Sequence, residues 1–139
     1  MILADTSAWV EYDRATGSPV DLRLTQLISS QTAIGVTEPV IMEVLAGARS
    51  VQRETDLRRL LLRFDLLRFD AATDFDAAAR IYRACRRTGV TPRGMVDCMI
   101  ASVAKRYEAM LLAYDADLKR VAQAVGIDLD AASLTIETD

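Results

Sequence analysis

Short apolar runs alternate with longer stretches of helical period along this chain. Met1–Ala4, Thr32–Val36, Leu66–Phe69, Met110–Tyr114 and Ile127–Leu129 are three to five residues long and show almost no polar alternation. A strand of that kind has no wet face, so it belongs in a sheet covered on both sides. Helices between successive strands make the pairing parallel. The expected fold is α/β: a three-layer α/β/α sandwich around a central, mainly parallel sheet of four to five strands. The 139 residues suit one domain over 1–139 with one real core, and the polar tail 133–139 is expected to fray.

The connecting helices are expected over about Ser7–Tyr12, Leu22–Ser30, Thr37 to Gly47 or Ala48, 52–63, 72–88, 95–108 and 117–125. Thr6 or Ser7 is the expected cap of the first helix. Thr37 is the expected cap of the third, with Pro39 tolerated in its first turn. Gly89 and Gly126 are the expected stops.

Acids stand where more core would be expected. Asp5 and Asp115 follow the first and fourth apolar runs, and Asp117 follows two residues later. Glu43 is the only charged residue between Pro39 and Ala48, and Asp97 interrupts GMVDCMIAS. Taken singly, each has a bland reading. An Asp after a strand is often just a helix cap, and an acid in a first helical turn meets a favourable dipole worth about 0.3–1 kcal/mol. Together they have a sharper one, because sites in open parallel sheets form beyond the carboxyl ends of the strands. Four carboxylates about 5 Å apart would repel by roughly 3 kcal/mol per pair at an effective dielectric near 20. Such a cluster must take up protons or hold a cation.

The rest of the composition narrows the cation. Histidine is absent, which excludes a Ser-His-Asp triad, a Cys-His dyad and a His-rich zinc site. Cys85 and Cys98 have no CxxC spacing and fit free thiols in a reducing, cytoplasmic setting. Oxygen-only ligands favour Mg²⁺, with Mn²⁺ as a substitute. There is no basic, apolar leader and no membrane-length apolar run. The net charge of −3 means that any polyanion must be held by a local patch.

MILADTSAWVEY, EPVIMEVLAGA, RGMVDCMIASVA and MLLAYDADLKRVA, in this order, resemble the PIN-domain ribonucleases, specifically the VapC toxins of toxin–antitoxin pairs. By that resemblance Asp5, Glu43, Asp97 and Asp115 are the catalytic acidic quartet, and Asp117 is an additional acid of the metal site. Asp5 and Asp97 are the acids implied to touch the metal directly. Thr6 and Ser7 match hydroxyls that orient the first Asp, and Arg93 is a candidate for phosphate contact or for orienting Asp97. The resemblance implies an endoribonuclease in which a Mg-activated water hydrolyses RNA phosphodiester bonds. It also implies a homodimer, inhibited by a small VapB-like antitoxin lying across the active site. Tyr114 stands where many relatives carry a basic or polar residue.

Arg80, Arg83, Arg86, Arg87 and Arg93 lie in a span without acid from Ala77 to Val96. They read either as a solvated helix face or as phosphate contacts. Arg58, Arg59 and Arg63 read the same way. Trp9 and Tyr12 fit a core, an interface or the border of an RNA groove. Two rival functions compete with the nuclease. The Asp115-x-Asp117 pair is the motif of an aspartyl-phosphate phosphatase or phosphotransferase, though only 22 residues follow Asp117. The Leu-rich segment 57–67 would suit a non-catalytic protein-binding module.

Overall fold

The computed structural model describes residues 1–135. Four strands, β1 (Ile2–Ala4), β2 (Ile34–Val36), β3 (Asp65–Leu66) and β4 (Met110–Leu112), form one sheet of order β3-β2-β1-β4. Every pair in it is parallel, with Leu3 opposite both Gly35 and Leu111. Residues Leu3, Ala4, Leu111 and Leu112 have no exposed surface, as strands covered on both faces must.

The helices are α1 (Thr6–Asp13), α2 (Pro19–Ser29), α3 (Glu38–Ala46), α4 (Val51–Leu61), α5 (Asp74–Arg87), α6 (Met95–Arg106) and α7 (Ala116–Val125), followed by a 3-10 turn over Ala131–Thr135. The strand order places them. The chain moves one way from β1 through β2 to β3, then returns past β1 to β4. Parallel crossovers share one hand, so connections running in opposite directions lie on opposite faces. Helices α1 to α4 accordingly pack among themselves, as do α5, α6 and α7. This is the expected three-layer sandwich.

Local differences from the expected elements have simple causes. The cap of α1 is neither Thr6 nor Ser7 but Asp5, whose side chain accepts from the Ser7 N–H. Thr37 holds the cap position of α3 without a side-chain bond, and its hydroxyl is buried and unpaired. The third strand is shorter and earlier than 66–69, because it is an exposed edge with a single neighbour. A fifth strand at 127–129 is reduced to one parallel bridge, Leu111 with Leu129. Gly126 ends α7 at φ 76°, a left-handed geometry that suits glycine.

Gly35 supplies the closest backbone approach, since a Cβ there would lie 2.6 Å from Leu67 Cδ1. Ser133, the first residue of the tail expected to fray, is held in place. Ser133 is buried, accepts from the Ala113 N–H at 3.0 Å and donates to the Leu111 carbonyl. The remainder of that expectation, 136–139, lies outside the described residues.

Trp9 is core at 1% exposure, against Phe64 and Tyr12. In the Leu-rich segment, Leu57, Leu61 and Leu67 are buried core and only Leu62 and Leu66 are well exposed, so it offers no continuous docking stripe. No described helix is long and apolar enough to cross a membrane.

A long-range ion pair ties the β3–α5 connection to the end of α6. Asp74, 1% exposed, accepts from Arg106 Nη2 at 2.7 Å and Nε at 3.2 Å, and Arg106 also donates to the Arg68 carbonyl. Burial pushes the Asp74 carboxyl up, but hydrogen bonds from Arg106, the Asp70 backbone and Ser102 outweigh it and hold the group below the usual carboxylate range.

Candidate active site

The reversal in strand order falls between β1 and β4, and open α/β sheets open a crevice beyond the strand ends at that point. Asp5 directly follows β1. Asp115 lies three residues past β4, at the N-terminus of α7. Backbone bonds clamp the two strand ends together. The Asp5 N–H donates to the Leu112 carbonyl at 2.9 Å, and the Tyr114 N–H donates to Ser7 Oγ at 2.8 Å. Helix α6 brings in Asp97 in its first turn, and α3 brings in Glu43.

The bland reading holds for two of the acids. Asp5 and Asp115 are indeed helix caps, Asp5 for α1 and Asp115 for α7. They are also neighbours of Asp97 and Glu43, near enough for their charges to act on one another. Asp97 is pushed up to about 7, first by burial, then by the charges of Asp5 and Asp115, with Arg93 opposing and Glu43 adding. Asp5 rises to about 6, first through burial, against the lowering bonds from Ser7, with Asp115 and Glu43 adding.

Asp5 is 3% exposed and its two oxygens differ. Oδ2 accepts from Ser7 Oγ at 2.6 Å and from the Ser7 N–H at 3.1 Å, whereas Oδ1 is buried with no partner. A buried carboxylate oxygen without a donor is costly, and the group reduces that cost by protonation or by meeting a cation. Thr6, expected to orient Asp5, instead donates to Glu43 Oε1 at 2.7 Å. It thereby fixes the acid from the other side of the site, 37 residues away in sequence.

Arg93 also differs from expectation. Its fork does not hold Asp97. It spans Asp115 Oδ2 at 2.9 Å and Asp117 Oδ2 at 3.1 Å, with its side chain 66% exposed. Asp115, first through its charge and then through its hydrogen bond, raises the Arg93 pKa further. Asp115 Oδ1 accepts from the N–H groups of Asp117 and Leu118. Both oxygens of Asp115 are thus engaged, a poor arrangement for a phosphoryl-accepting nucleophile. Arg120 Nη1 reaches Asp117 Oδ1 at 3.2 Å, an i, i+3 contact along α7. The small face Ala101 and Ala104, below Asp97, is fully buried. It lets α6 approach the core closely.

Among the described residues, no three Asp, Glu, His or Cys side chains are grouped so that they could hold a metal ion as they stand. The charge is balanced instead by the raised proton affinity of Asp5 and Asp97 and by the Arg93 fork. The donor set still fits a hard divalent cation. It is all oxygen, it includes one orphaned buried carboxylate oxygen, and burial together with neighbouring acids pushes two of its carboxyls up.

The PIN domain family matches residues 2–124. Ribonuclease VapC11 of Mycobacterium tuberculosis is 47% identical over 134 residues, covering 96% of this chain and 98% of that protein. The chain belongs to the VapC ribonuclease family of PIN-domain proteins. VapC ribonuclease Mb1587 of Mycobacterium bovis matches to the same extent. Among solved structures, VapBC2 from Rickettsia felis, bound to a DNA fragment from its promoter, superposes with a TM-score of 0.73. It is 21% identical and covers 94% of this chain and 98% of that one. At that identity the likeness shows the PIN fold. In this PIN domain Asp5 and Asp115 cap α1 and α7, whereas Glu43 and Asp97 lie within α3 and α6.

Proposed function

We propose that this chain is a metal-dependent endoribonuclease and the toxin of a toxin–antitoxin pair. The observation that carries the reading is the mutual influence of Asp5, Glu43, Asp97 and Asp115 at the switch point, with Asp5 Oδ1 left unpartnered. The VapC ribonucleases at 47% identity support the reaction class.

Asp5 Oδ1 and Asp97 are the direct ligands in this account, with Glu43, Asp115 and Asp117 completing the negative field. When bound there, Mg²⁺ supplies a lowered pKa for water and charge stabilisation at a phosphodiester oxygen. The protein's own part is positional. Ser7 locks Asp5 through Oδ2, so Oδ1 faces its task in one orientation. Thr6 does the same for Glu43. Burial and the charges of Asp5 and Asp115 push the Asp97 carboxyl up to about 7, so a cation bound there must displace its proton. Arg93 keeps Asp115 and Asp117 together, and its exposed guanidinium is placed to meet a phosphate oxygen.

The antitoxin partner is proposed by likeness to VapBC complexes. A small protein covering this crevice would block substrate by occupying the acids and Arg93. The test is cleavage of total cellular RNA by partner-free chain, with ends mapped by sequencing. Wild type in Mg²⁺ should cut at defined sites, whereas wild type in EDTA and Asp5→Ala should not. Equal cutting by wild type and Asp5→Ala would overturn the reading.

A further inference from the structure

The cationic end of α5 has no role in the chemistry just described. The α5–α6 hairpin is antiparallel. Asp74 at the start of α5 meets Arg106 at the end of α6, while Cys85 lies close enough to Cys98 to influence its thiol. The last turn of α5 therefore sits at the level of Asp97, at the active-site end of the domain.

Arg86 and Arg87 occupy that turn and Arg83 lies one turn before it, and all three are exposed. Their helical neighbours are otherwise matched. Arg80 is paired with Asp76 at 2.7 Å, Arg106 with Asp74, and Lys105 donates to the Val125 carbonyl. Arg83, Arg86 and Arg87 make no side-chain hydrogen bond or ion pair among the described residues. They line a shallow groove of about 370 Å³, and Arg87 also borders a second of about 360 Å³ whose walls carry Arg80, Lys105 and Arg106 and no acid. The helix C-terminus favours cations by only about 0.3–1 kcal/mol, which does not account for three of them unpaired in a chain of net charge −3. Charge complementarity fits the phosphate backbone of a polyanion.

We infer that Arg83, Arg86 and Arg87 form a backbone-phosphate track for the RNA strand flanking the scissile bond. This rests on the nuclease reading, but its test does not require cleavage. Binding of a fluorescent single-stranded RNA is followed by anisotropy in EDTA, from 50 to 200 mM salt, for wild type and for an Arg83→Gln/Arg86→Gln/Arg87→Gln variant. Three lost contacts remove about 0.7–0.9 each from the slope of log affinity against log salt. Wild-type affinity should then fall about 20–40-fold more than the variant's across that range. The corresponding triple Lys variant should keep the steep slope.

In cleavage of long RNA the Gln variant should show a raised KM with kcat retained, and a trinucleotide spanning only the scissile bond should be cut equally by both. Equal salt slopes for wild type and the Gln variant, with both folded by melting, would overturn the inference. So would a variant that binds RNA normally but fails to bind the antitoxin, since the face would then belong to a protein. Failure of wild type to cleave any RNA would strike the nuclease reading alone.

Discussion

Replacing Asp97 by Asn should stabilise the metal-free protein above neutral pH. The group lies near 7 in the fold against an ordinary 3.8, first because of burial and then because of Asp5 and Asp115. That gap corresponds to ~4 kcal/mol at 1.36 kcal/mol per pH unit. Asp97 is only half-buried, so solvent screens part of it, and about 2 kcal/mol is the expected remainder. The sign follows from the proton count. The unfolded chain releases this proton near 3.8, while the folded chain keeps it until about 7. Stability from this group is therefore complete below about 4, is lost as pH rises from about 4 to 7, and is gone above that.

Asparagine keeps the shape without the charge, so the variant should lack that loss. Thermal melting in EDTA at pH 5 and pH 8 reads it out. Wild type should lose about 5 °C more than Asp97→Asn between the two, given roughly 3–5 °C per kcal/mol for a domain of this size. At pH 8, saturating Mg²⁺ should restore wild type and leave the variant almost unmoved. Identical pH dependence for the two proteins, or a variant less stable than wild type at pH 8 in EDTA, would refute the reasoning.

Ser7→Ala removes the donor to Asp5 Oδ2 and the acceptor of the Tyr114 N–H. It should cost about 1–3 kcal/mol in denaturant unfolding and lower kcat more than it raises KM. Arg106→Ala leaves the buried Asp74 charge without its cationic partner and should destabilise by about 3 kcal/mol, with kcat per folded molecule unchanged. Arg93→Gln removes the cation that competes for Asp115 and Asp117, so calorimetric titration should show Mn²⁺ binding several-fold tighter while RNA cleavage falls.

Much of the fold was legible because its strands are apolar on both faces, and such runs have few other uses. The edge strand β3 and the bridge at Leu129 were the least legible, since one-sided pairing leaves a weak pattern in the residues. The acids could be read as anomalies: each interrupts or follows a run that should have stayed apolar. Their partners could not. Three adjacent residues, Asp5, Thr6 and Ser7, are all good caps, and only the packed geometry separates them. Asp5 caps, Ser7 holds Asp5, and Thr6 reaches across to Glu43. The Arg93 fork spans 22 residues to Asp115 and depends on where a loop between α5 and α6 lands. The Asp74–Arg106 pair spans 32 residues and carried no local signal beyond a first-turn acid and a last-turn base, which most helices possess.

The central claim is that Asp5 and Asp97 converge on one divalent cation. Anomalous scattering from Mn²⁺-soaked crystals of the partner-free chain tests it most directly. A peak ligated by Asp5 Oδ1 and the Asp97 carboxylate is expected, absent from crystals of Asp5→Ala. Manganese bound elsewhere, or a wild-type crevice without a peak at saturating ion, would contradict it.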